Sequence, residues 1–195
     1  MAQQIEIEFK NVLTKEQYTQ LLTTFQVNPQ DIHHQANHYF DTPDFQLKAL
    51  NSGLRIRQIN HYFECTLKEK SAEHAHLETT DELTKEQAQL MLNGSAFTAP
   101  SVEERLVVKK IDLSQLHVFG TLATDRVEIP YKGGTLVFDH SFYLQCEDYE
   151  VEYETNDVTK GNEIFDAFLV ENGIEKQPAN KKIARFMQAL NAQKG

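Results

Sequence analysis

The sequence predicts an α+β protein: one antiparallel sheet of eight strands that closes into a barrel, with helices around it. Eight segments alternate apolar and polar residues with the period of two that a half-buried strand shows. Neighbouring strands are joined by short connections, which favour antiparallel pairing, and a sheet with this many strands tends to curl or close. Amphipathic helical segments lie between some strands and at the end of the chain, where they can cover the apolar face of the sheet.

The strands are bounded by turn residues and by changes in periodicity. The first contains the alternating run from Ile5 to Lys10, and Asn60-His61 and Lys132-Gly133-Gly134 are typical of hairpin turns. The eight predicted strands cover residues 5–10, 33–41, 53–59, 62–70, 76–83, 118–131, 135–143 and 149–155.

Helices are predicted where apolar residues recur every three or four positions behind a capping residue. Thr14 followed by Gln17, and Thr84 followed by Gln87, form the capping-box pattern, and Ser101 opens a similar one with Glu104. The predicted helices cover residues 14–26, 84–94, about 101–110, about 159–172 and about 180–192, with a short helix around 45–50.

Length, charge and cysteine content limit the class of protein. A chain of 195 residues is long enough for one well-filled domain, so we expect residues 1–195 to form a single domain that ends in the helices at about 159–192. The net charge of −10 argues against binding nucleic acid or an anionic membrane through a basic surface. No segment approaches the roughly 20 apolar residues that span a bilayer. The two cysteines form no CxxC motif, so we expect a cytoplasmic protein with reduced thiols.

The charged residues of the strands share one face, opposite the apolar residues. The same alternation groups Glu6, Glu8 and Lys10; Arg55 and Arg57; Arg126 and Glu128; and Glu150, Glu152 and Glu154. For a single strand, a solvated outer face is the commoner explanation. Here the helices must cover the apolar faces from outside, so in a closed barrel the charged faces would be internal. Buried clusters of both signs are costly unless the site binds a divalent metal together with a polyanion.

Short motifs follow one another along most of the chain. They are the ExExK run Glu6-Ile7-Glu8-Phe9-Lys10, His38-Tyr39-Phe40-Asp41-Thr42, Leu54-Arg55-Ile56-Arg57, Thr66-Leu67-Lys68, Thr124-Asp125-Arg126, Glu150-Val151-Glu152 and Lys182-Ile183-Ala184-Arg185-Phe186. In this order they resemble the CYTH domains, also called triphosphate tunnel metalloenzymes, of the short single-domain bacterial type. ExExK alone would be a weak match, whereas the further motifs in family order make the resemblance specific.

The resemblance implies an eight-stranded tunnel that binds a triphosphate with Mg²⁺ or Mn²⁺. It implies that the metal ligands are Glu6, Glu8, Asp139, Glu150 and Glu152, with Glu78 and Glu154 as further candidates. The residues expected to bind the phosphates are Lys10, Arg55, Arg57, Lys68, Arg126, Lys182 and Arg185. The residues expected to be catalytic are Glu6, Glu8, Lys10, Glu150 and Glu152.

Three functions are compatible with these residues. The first is a metal-dependent hydrolase of triphosphates, above all inorganic tripolyphosphate, in which a metal-activated water attacks a phosphoryl group. The second is another enzyme on the same scaffold, a class IV adenylyl cyclase. Among the hydrolases, a thiamine triphosphatase is a further alternative, for which Phe45, Tyr39 and Tyr62 are candidate aromatic contacts. The third is a non-catalytic module that binds polyphosphate or a nucleotide, although such binding would need only the basic residues. The expected partner is therefore a small triphosphate, and the oligomeric state stays open.

Overall fold

The computed structural model describes residues 2–194, and the side chains of residues 3–192. Within that range the strands are β1 (Ala2–Leu13), β2 (His33–Asp41), β3 (Ser52–Ile59), β4 (Tyr62–Lys70), β5 (Ala75–Leu83), β6 (His117–Tyr131), β7 (Gly134–Tyr143) and β8 (Cys146–Thr155). They form a closed barrel in the order β1-β5-β4-β3-β2-β6-β7-β8. Antiparallel register joins β1 to β8, β2 to β3, β3 to β4, β4 to β5, β6 to β7 and β7 to β8. The predicted fold class, an eight-stranded antiparallel barrel with flanking helices, is confirmed.

The helices fall close to their predicted positions. In the same described range they are α1 (Lys15–Thr24), α2 (Gln46–Ala49), α3 (Lys85–Leu92), α4 (Pro100–Val108), α5 (Val158–Glu171) and α6 (Lys182–Lys194). The capping boxes predicted at Thr14 and Thr84 are confirmed, because each hydroxyl accepts a hydrogen bond from the backbone N–H three residues later. None of the helices within residues 2–194 has the length and apolar character needed to cross a bilayer.

Helix α4 begins differently from the prediction. It starts at Pro100, and the residue before it provides no side-chain cap. Instead, Asp81 of β5 accepts hydrogen bonds from the backbone N–H groups of Ser101 at 2.8 Å and Val102 at 3.0 Å. The predicted capping box that starts at Ser101 is therefore wrong, because a buried carboxylate from another element already satisfies the first turn of the helix.

The chain divides into two compact units. The first unit comprises Gln35–Leu122 together with the residues before Glu6, and the second comprises Glu6–His34 together with the chain from Ala123 onward. The first unit therefore contains β3, β4, β5 and helices α2 to α4. The second contains most of β1, together with β7, β8, α1, α5 and α6.

In each unit the helices cover the apolar face of the strands. In the second unit Val151 and Tyr153 of β8 share a core with Phe168 of α5. In the first unit Ile56 of β3 shares a core with Leu106 of α4. Residues that alternate with these core positions project from the opposite face of each strand. That opposite face carries the charged residues of the predicted site.

Candidate active site

Three buried carboxylates of the second unit converge on one point. The register of β7 and β8 pairs Asp139 with Glu150 and places Glu152 opposite Val137. The exposed fractions of Asp139, Glu150 and Glu152 are 0%, 0% and 4%, and each offers an oxygen within 4.8 Å of the others. We call Asp139, Glu150 and Glu152 the carboxylate triad. Carboxylates this close repel one another strongly unless cations neutralise them.

Two basic side chains, from β6 and α6, neutralise the triad. Arg126 donates from Nε to Asp139 Oδ1 at 2.8 Å and from Nη2 to Asp139 Oδ2 at 2.6 Å, and Nη2 also reaches Glu152 Oε2 at 3.1 Å. Lys182 Nζ lies 2.7 Å from Asp139 Oδ2 and 3.0 Å from Glu152 Oε1, and it also donates to Glu150 Oε1. Burial alone would raise the pKa of Asp139, but the charges of Arg126 and Lys182 hold it well below its usual range.

Lys10 brings a third cation to the triad from β1. The register of β1 and β8 pairs Lys10 with Glu152 and Glu8 with Glu154. Lys10 Nζ lies 3.2 Å from Glu152 Oε1 and 3.2 Å from Glu8 Oε2, so one ammonium bridges carboxylates of two strands. Burial alone would lower the pKa of Lys10, but Glu152 and Glu8 raise it above its ordinary value. Lys10 is therefore a fixed positive charge beside the triad.

Glu154 and Glu6 extend the acidic faces of β8 and β1. Burial raises the pKa of Glu154 to about 7, and the charge of Glu6 adds to this rise while Arg126 opposes it. Glu154 consequently carries a proton part of the time at neutral pH, and in that form it is a poor metal ligand. Of the predicted metal ligands, Asp139, Glu150 and Glu152 thus lie together in the second unit. Glu8 is connected to them through Lys10, which contacts both Glu8 and Glu152.

Arg185 of α6 is positioned by a residue that the sequence reasoning missed. Asp148 accepts hydrogen bonds from Arg185 Nε at 2.9 Å, from Arg185 Nη2 at 3.1 Å and from the hydroxyl of Tyr143 at 2.6 Å. Arg185 Nη1 then lies 2.6 Å from Glu150 Oε2. A signal was present in the sequence, because Asp148 precedes Glu150 and Glu152 at the same spacing of two.

The segment that leads into α6 is fastened to β1 by a buried side chain. Asn11, which is 0% exposed, donates to the carbonyl of Glu175 at 3.0 Å and accepts from the backbone N–H of Gln177. The backbone N–H of Val12 also donates to the carbonyl of Gln177 at 2.9 Å. We call residues 175–179 the strap. Because the strap ends just before α6, it sets where the first turn of that helix meets the strands.

The first unit contains a separate set of basic side chains. In the register of β3 and β4, Arg55 lies opposite Thr66 and Arg57 lies opposite Glu64. Arg57 donates from Nε to the side-chain oxygen of Asn37 at 3.2 Å, and its Nη1 lies 3.5 Å from Glu64 Oε1. We call Arg55, Arg57 and Lys68 the basic cluster. Asn37, 1% exposed, thereby orients one of its members and is a second residue that sequence reasoning missed.

Glu78 is an acidic partner of the basic cluster. Its Oε1 lies 3.4 Å from Lys68 Nζ, and the residue is 7% exposed. Burial alone would raise the pKa of Glu78, but Lys68, Arg55 and Arg57 lower it. The structure therefore places this candidate metal ligand among the cations of the basic cluster in the first unit.

The His38–Thr42 motif has a structural component. Asp41, 3% exposed, accepts hydrogen bonds from the backbone N–H groups of Thr42 at 2.8 Å, Leu47 at 2.9 Å and Lys48 at 3.1 Å. The bonds from Leu47 and Lys48 satisfy backbone N–H groups in the first turn of the short helix α2. Asp41 therefore stabilises the connection between β2 and β3.

The carboxylate triad suits a hard divalent cation. Mg²⁺ and Mn²⁺ prefer carboxylate oxygens, and the triad supplies three acidic side chains with neither His nor Cys among them. Arg and Lys are the side chains that bind phosphate oxygens, and they surround the triad at hydrogen-bond distance. The second unit therefore carries the side-chain types that a hard divalent cation and a phosphate group prefer.

A family model and one curated protein sequence each match most of this chain. A family model described as the CYTH domain matches residues 4–187. YjbK of Bacillus subtilis strain 168, named as a candidate triphosphatase, is 39% identical over 190 residues, which cover 96% of this chain and 97% of that protein.

Two solved structures are also similar. A candidate adenylate cyclase from Bacillus halodurans has a TM-score of 0.91 and 40% identity, covering 95% of this chain and 99% of that one. HpAC1 from Hippeastrum, named as a candidate adenylyl cyclase with a dominant triphosphatase activity, has a TM-score of 0.78 and 25% identity, covering 95% of each chain. Because the family model spans nearly the whole sequence and YjbK is 39% identical, this chain belongs to the CYTH domain family.

Proposed function

We propose that this chain is a divalent-metal-dependent hydrolase of triphosphates, with inorganic tripolyphosphate as its preferred substrate and Mg²⁺ or Mn²⁺ as its cofactor. The observation that carries this proposal is the buried carboxylate triad in direct contact with Arg126, Lys182 and Lys10. A site that only bound phosphate would need the cations alone, and burying three carboxylates beside them would be costly. The names of YjbK and HpAC1, which both mention a triphosphatase, support the same reaction.

In this proposal the carboxylate triad holds the metal, together with Glu6 and Glu8 as the family resemblance implies. A divalent ion bound there would neutralise phosphate charge and lower the pKa of the attacking water. Arg126 and Lys10 bind phosphoryl oxygens and stabilise the charge that develops on them during transfer. Arg126 suits this role because Asp139 already fixes its guanidinium through two hydrogen bonds, so little reorganisation is needed.

We assign the remaining basic residues to phosphate binding as well. Lys182 and Arg185 reach the triad from α6. For the basic cluster of the first unit, the same role is what the family resemblance implies. Among these cations, acidic partners in the protein contact Arg57, Lys68, Lys182 and Arg185. An incoming triphosphate would therefore exchange one set of ion pairs for another. Such exchange limits the desolvation cost of binding.

We also propose that residues 1–195 act as a single domain in the cytoplasm. Cys65 and Cys146 are both free thiols, as is usual in a reducing compartment. The net charge of −10 disfavours nucleic acid and anionic membranes as partners, and it leaves a small triphosphate as the expected one.

An adenylyl cyclase is the second candidate, because the names of two similar structures mention that activity. Cyclisation also starts from a metal-bound triphosphate, so the triad would serve both reactions. The adenine ring would need an additional contact surface.

A thiamine triphosphatase would need an aromatic surface of its own. Of the aromatic candidates for it, Tyr39 is 7% exposed, the Phe45 ring packs edge-on against Phe119 at 5.8 Å, and the Tyr62 hydroxyl donates to Glu64 at 3.3 Å. Each therefore already has a role in packing or hydrogen bonding, which favours tripolyphosphate over thiamine triphosphate as the substrate.

Product analysis tests the proposal. The purified protein is given tripolyphosphate, ATP and thiamine triphosphate in turn, each with Mg²⁺, with Mn²⁺ or with EDTA, and orthophosphate and nucleotides are quantified. We expect orthophosphate release to be fastest from tripolyphosphate and to stop in EDTA. Cyclic AMP as the main product from ATP would favour the cyclase. Metal-dependent binding of tripolyphosphate without turnover would instead indicate a non-catalytic binding module.

A further inference from the structure

Lys182 occupies the place where the proposed metal would bind. Its ammonium lies 2.7 Å from Asp139 Oδ2 and 3.0 Å from Glu152 Oε1, and it also donates to Glu150. An ammonium has three N–H donors, and each carboxylate of the triad lies within reach of one. A hard cation held by the same oxygens would lie about 2.0–2.6 Å from them. The ammonium and the metal therefore cannot occupy this position together.

Lys182 is also the first residue of α6, so its position is coupled to that of the helix. One turn later, Arg185 contacts Glu150 at 2.6 Å and Asp148 at 2.9 Å. On the other side of Lys182, the strap is fastened to β1 through Asn11. In the first turn of α6, Lys182 and Arg185 thus hold the helix on the strands by ion pairs. The strap before it is held by hydrogen bonds to Asn11 and to the backbone of β1.

We propose that a divalent metal and the first turn of α6 compete for the carboxylate triad, so that metal loading displaces Lys182 and loosens this end of the helix. The inference rests on the proposed function, since it takes the triad to be the metal site. The strap stays in place during this change, because its contacts are with β1 and not with the triad. The displaced ammonium stays tethered near the triad, where it can meet a phosphate oxygen of the substrate.

Competition of this kind weakens the apparent affinity for the metal. When a binding-competent state is only partly populated, the dissociation constant rises in inverse proportion to its population. If Lys182 is seated on the triad about nine-tenths of the time, the apparent Kd for the metal rises about tenfold. A substitution that removes the ammonium of Lys182 should therefore lower the apparent Kd for the metal by the same factor.

Metal titration without any triphosphate measures the effect. Binding of Mn²⁺ is followed by isothermal titration calorimetry for the wild type, Lys182→Met and Lys181→Met. Methionine has a similar length to lysine but no charge, and Lys181→Met is the matched control because it removes the same charge one residue earlier. We expect Lys182→Met to bind Mn²⁺ about tenfold more tightly than the wild type, and Lys181→Met to bind it about as the wild type does.

Amide hydrogen exchange provides a second test. A general change in charge near the triad would not alter the exchange rates in α6. In the wild type, addition of Mn²⁺ should speed amide exchange in the first turns of α6. In Lys182→Met the same amides should exchange faster even without metal, and Mn²⁺ should add little. Exchange in the strap should change in neither protein. If Lys182→Met does not fold, the wild-type measurement decides alone, and unchanged exchange in α6 would overturn the proposal.

The outcomes separate this inference from the proposed function. Equal Mn²⁺ affinities for the wild type and Lys182→Met would overturn the competition while leaving the metal site intact. An equal gain in Lys181→Met would also overturn it, since both variants would then report only the loss of a nearby charge. If neither the wild type nor Lys182→Met binds Mn²⁺ although both are folded by circular dichroism, the metal site itself fails, and the proposed function fails with it.

Discussion

The Arg126→Met variant removes the guanidinium that neutralises the carboxylate triad and leaves a long apolar side chain in its place. The side chain of Arg126 is 11% exposed and that of its main partner, Asp139, is 0% exposed. In the variant, Asp139 keeps Lys182 as its remaining basic partner within the second unit. We expect the folded state to lose stability, because a buried carboxylate is then only partly compensated.

The size of the loss follows from these contacts. Removing one partner of a buried ion pair costs about 3–5 kcal/mol. Because Lys182 still lies 2.7 Å from Asp139 and 3.0 Å from Glu152, we expect the lower end, about 3 kcal/mol. In a protein of this length each kcal/mol lowers Tm by about 2–4 °C, so Tm should fall by about 6–12 °C.

Urea unfolding followed by circular dichroism, in EDTA and in saturating Mn²⁺, measures this loss. A bound dication would replace the missing positive charge, so the difference from the wild type should shrink by about half in Mn²⁺. Arg105→Met is the matched control, because Arg105 donates to both oxygens of Glu69 at 3.0 Å but is 34% exposed and shares Glu69 with Lys109. The control should lose about 1 kcal/mol or less, in both conditions.

Two results would refute this reasoning. A loss below about 1 kcal/mol for Arg126→Met in EDTA would show that the triad does not depend on the guanidinium for its charge balance. A loss of the same size in EDTA and in Mn²⁺ would show that no metal takes over the role of Arg126 near Asp139.

Three further changes test other parts of the site. Glu152→Gln should lower metal-dependent turnover by about a hundredfold or more while the fold survives, and a wild-type rate on tripolyphosphate would contradict the role of the triad. Asn11→Ala removes the hydrogen bonds to the strap, so the free energy of unfolding should drop by about 1–3 kcal/mol; unchanged amide exchange in α6 would argue against the fastening. Since the pKa of Glu154 is raised from 4.5 to about 7 in the fold, its stabilising contribution is complete below pH 4.5 and is lost as the pH rises through about 7. Urea unfolding in EDTA should show that the stability of the wild type relative to Glu154→Gln falls by about 2–3 kcal/mol between about pH 5 and pH 8, and a difference that stays constant with pH would contradict this assignment.

Alternation along the strands predicted the face on which each charged residue lies, but not its partner. Glu150 and Glu152 were placed correctly on one face, because a period of two leaves no choice once Val151 is in the core. Asp148 was missed because the predicted strand began at Tyr149, whereas the hairpin pairs residues back to Cys146. Cross-strand register, which decides that Asp139 meets Glu150, is set by this hairpin and is not encoded in either strand alone.

Contacts between distant parts of the chain escaped prediction for a different reason. Asp81 caps a helix that begins about 20 residues later, and Asn11 fastens a segment 164 residues away. Neither residue lies in a local pattern that distinguishes it from an ordinary polar residue of a strand. Their roles depend on tertiary packing, which places a buried acceptor beside orphan backbone N–H groups.

The pairing of β1 with β8 has a consequence for how the chain folds as it is synthesised. Lys10 and Glu152 are separated by 142 residues, so their contact closes almost the whole chain. The larger part of the first unit is continuous from Gln35 to Leu122, and its strands β3, β4 and β5 are sequential neighbours that can pair early. A nascent chain stalled after Leu122 should therefore protect those strands from proteolysis, while β1 still lacks β8. The carboxylates proposed to do the chemistry are among the last groups to find their partners.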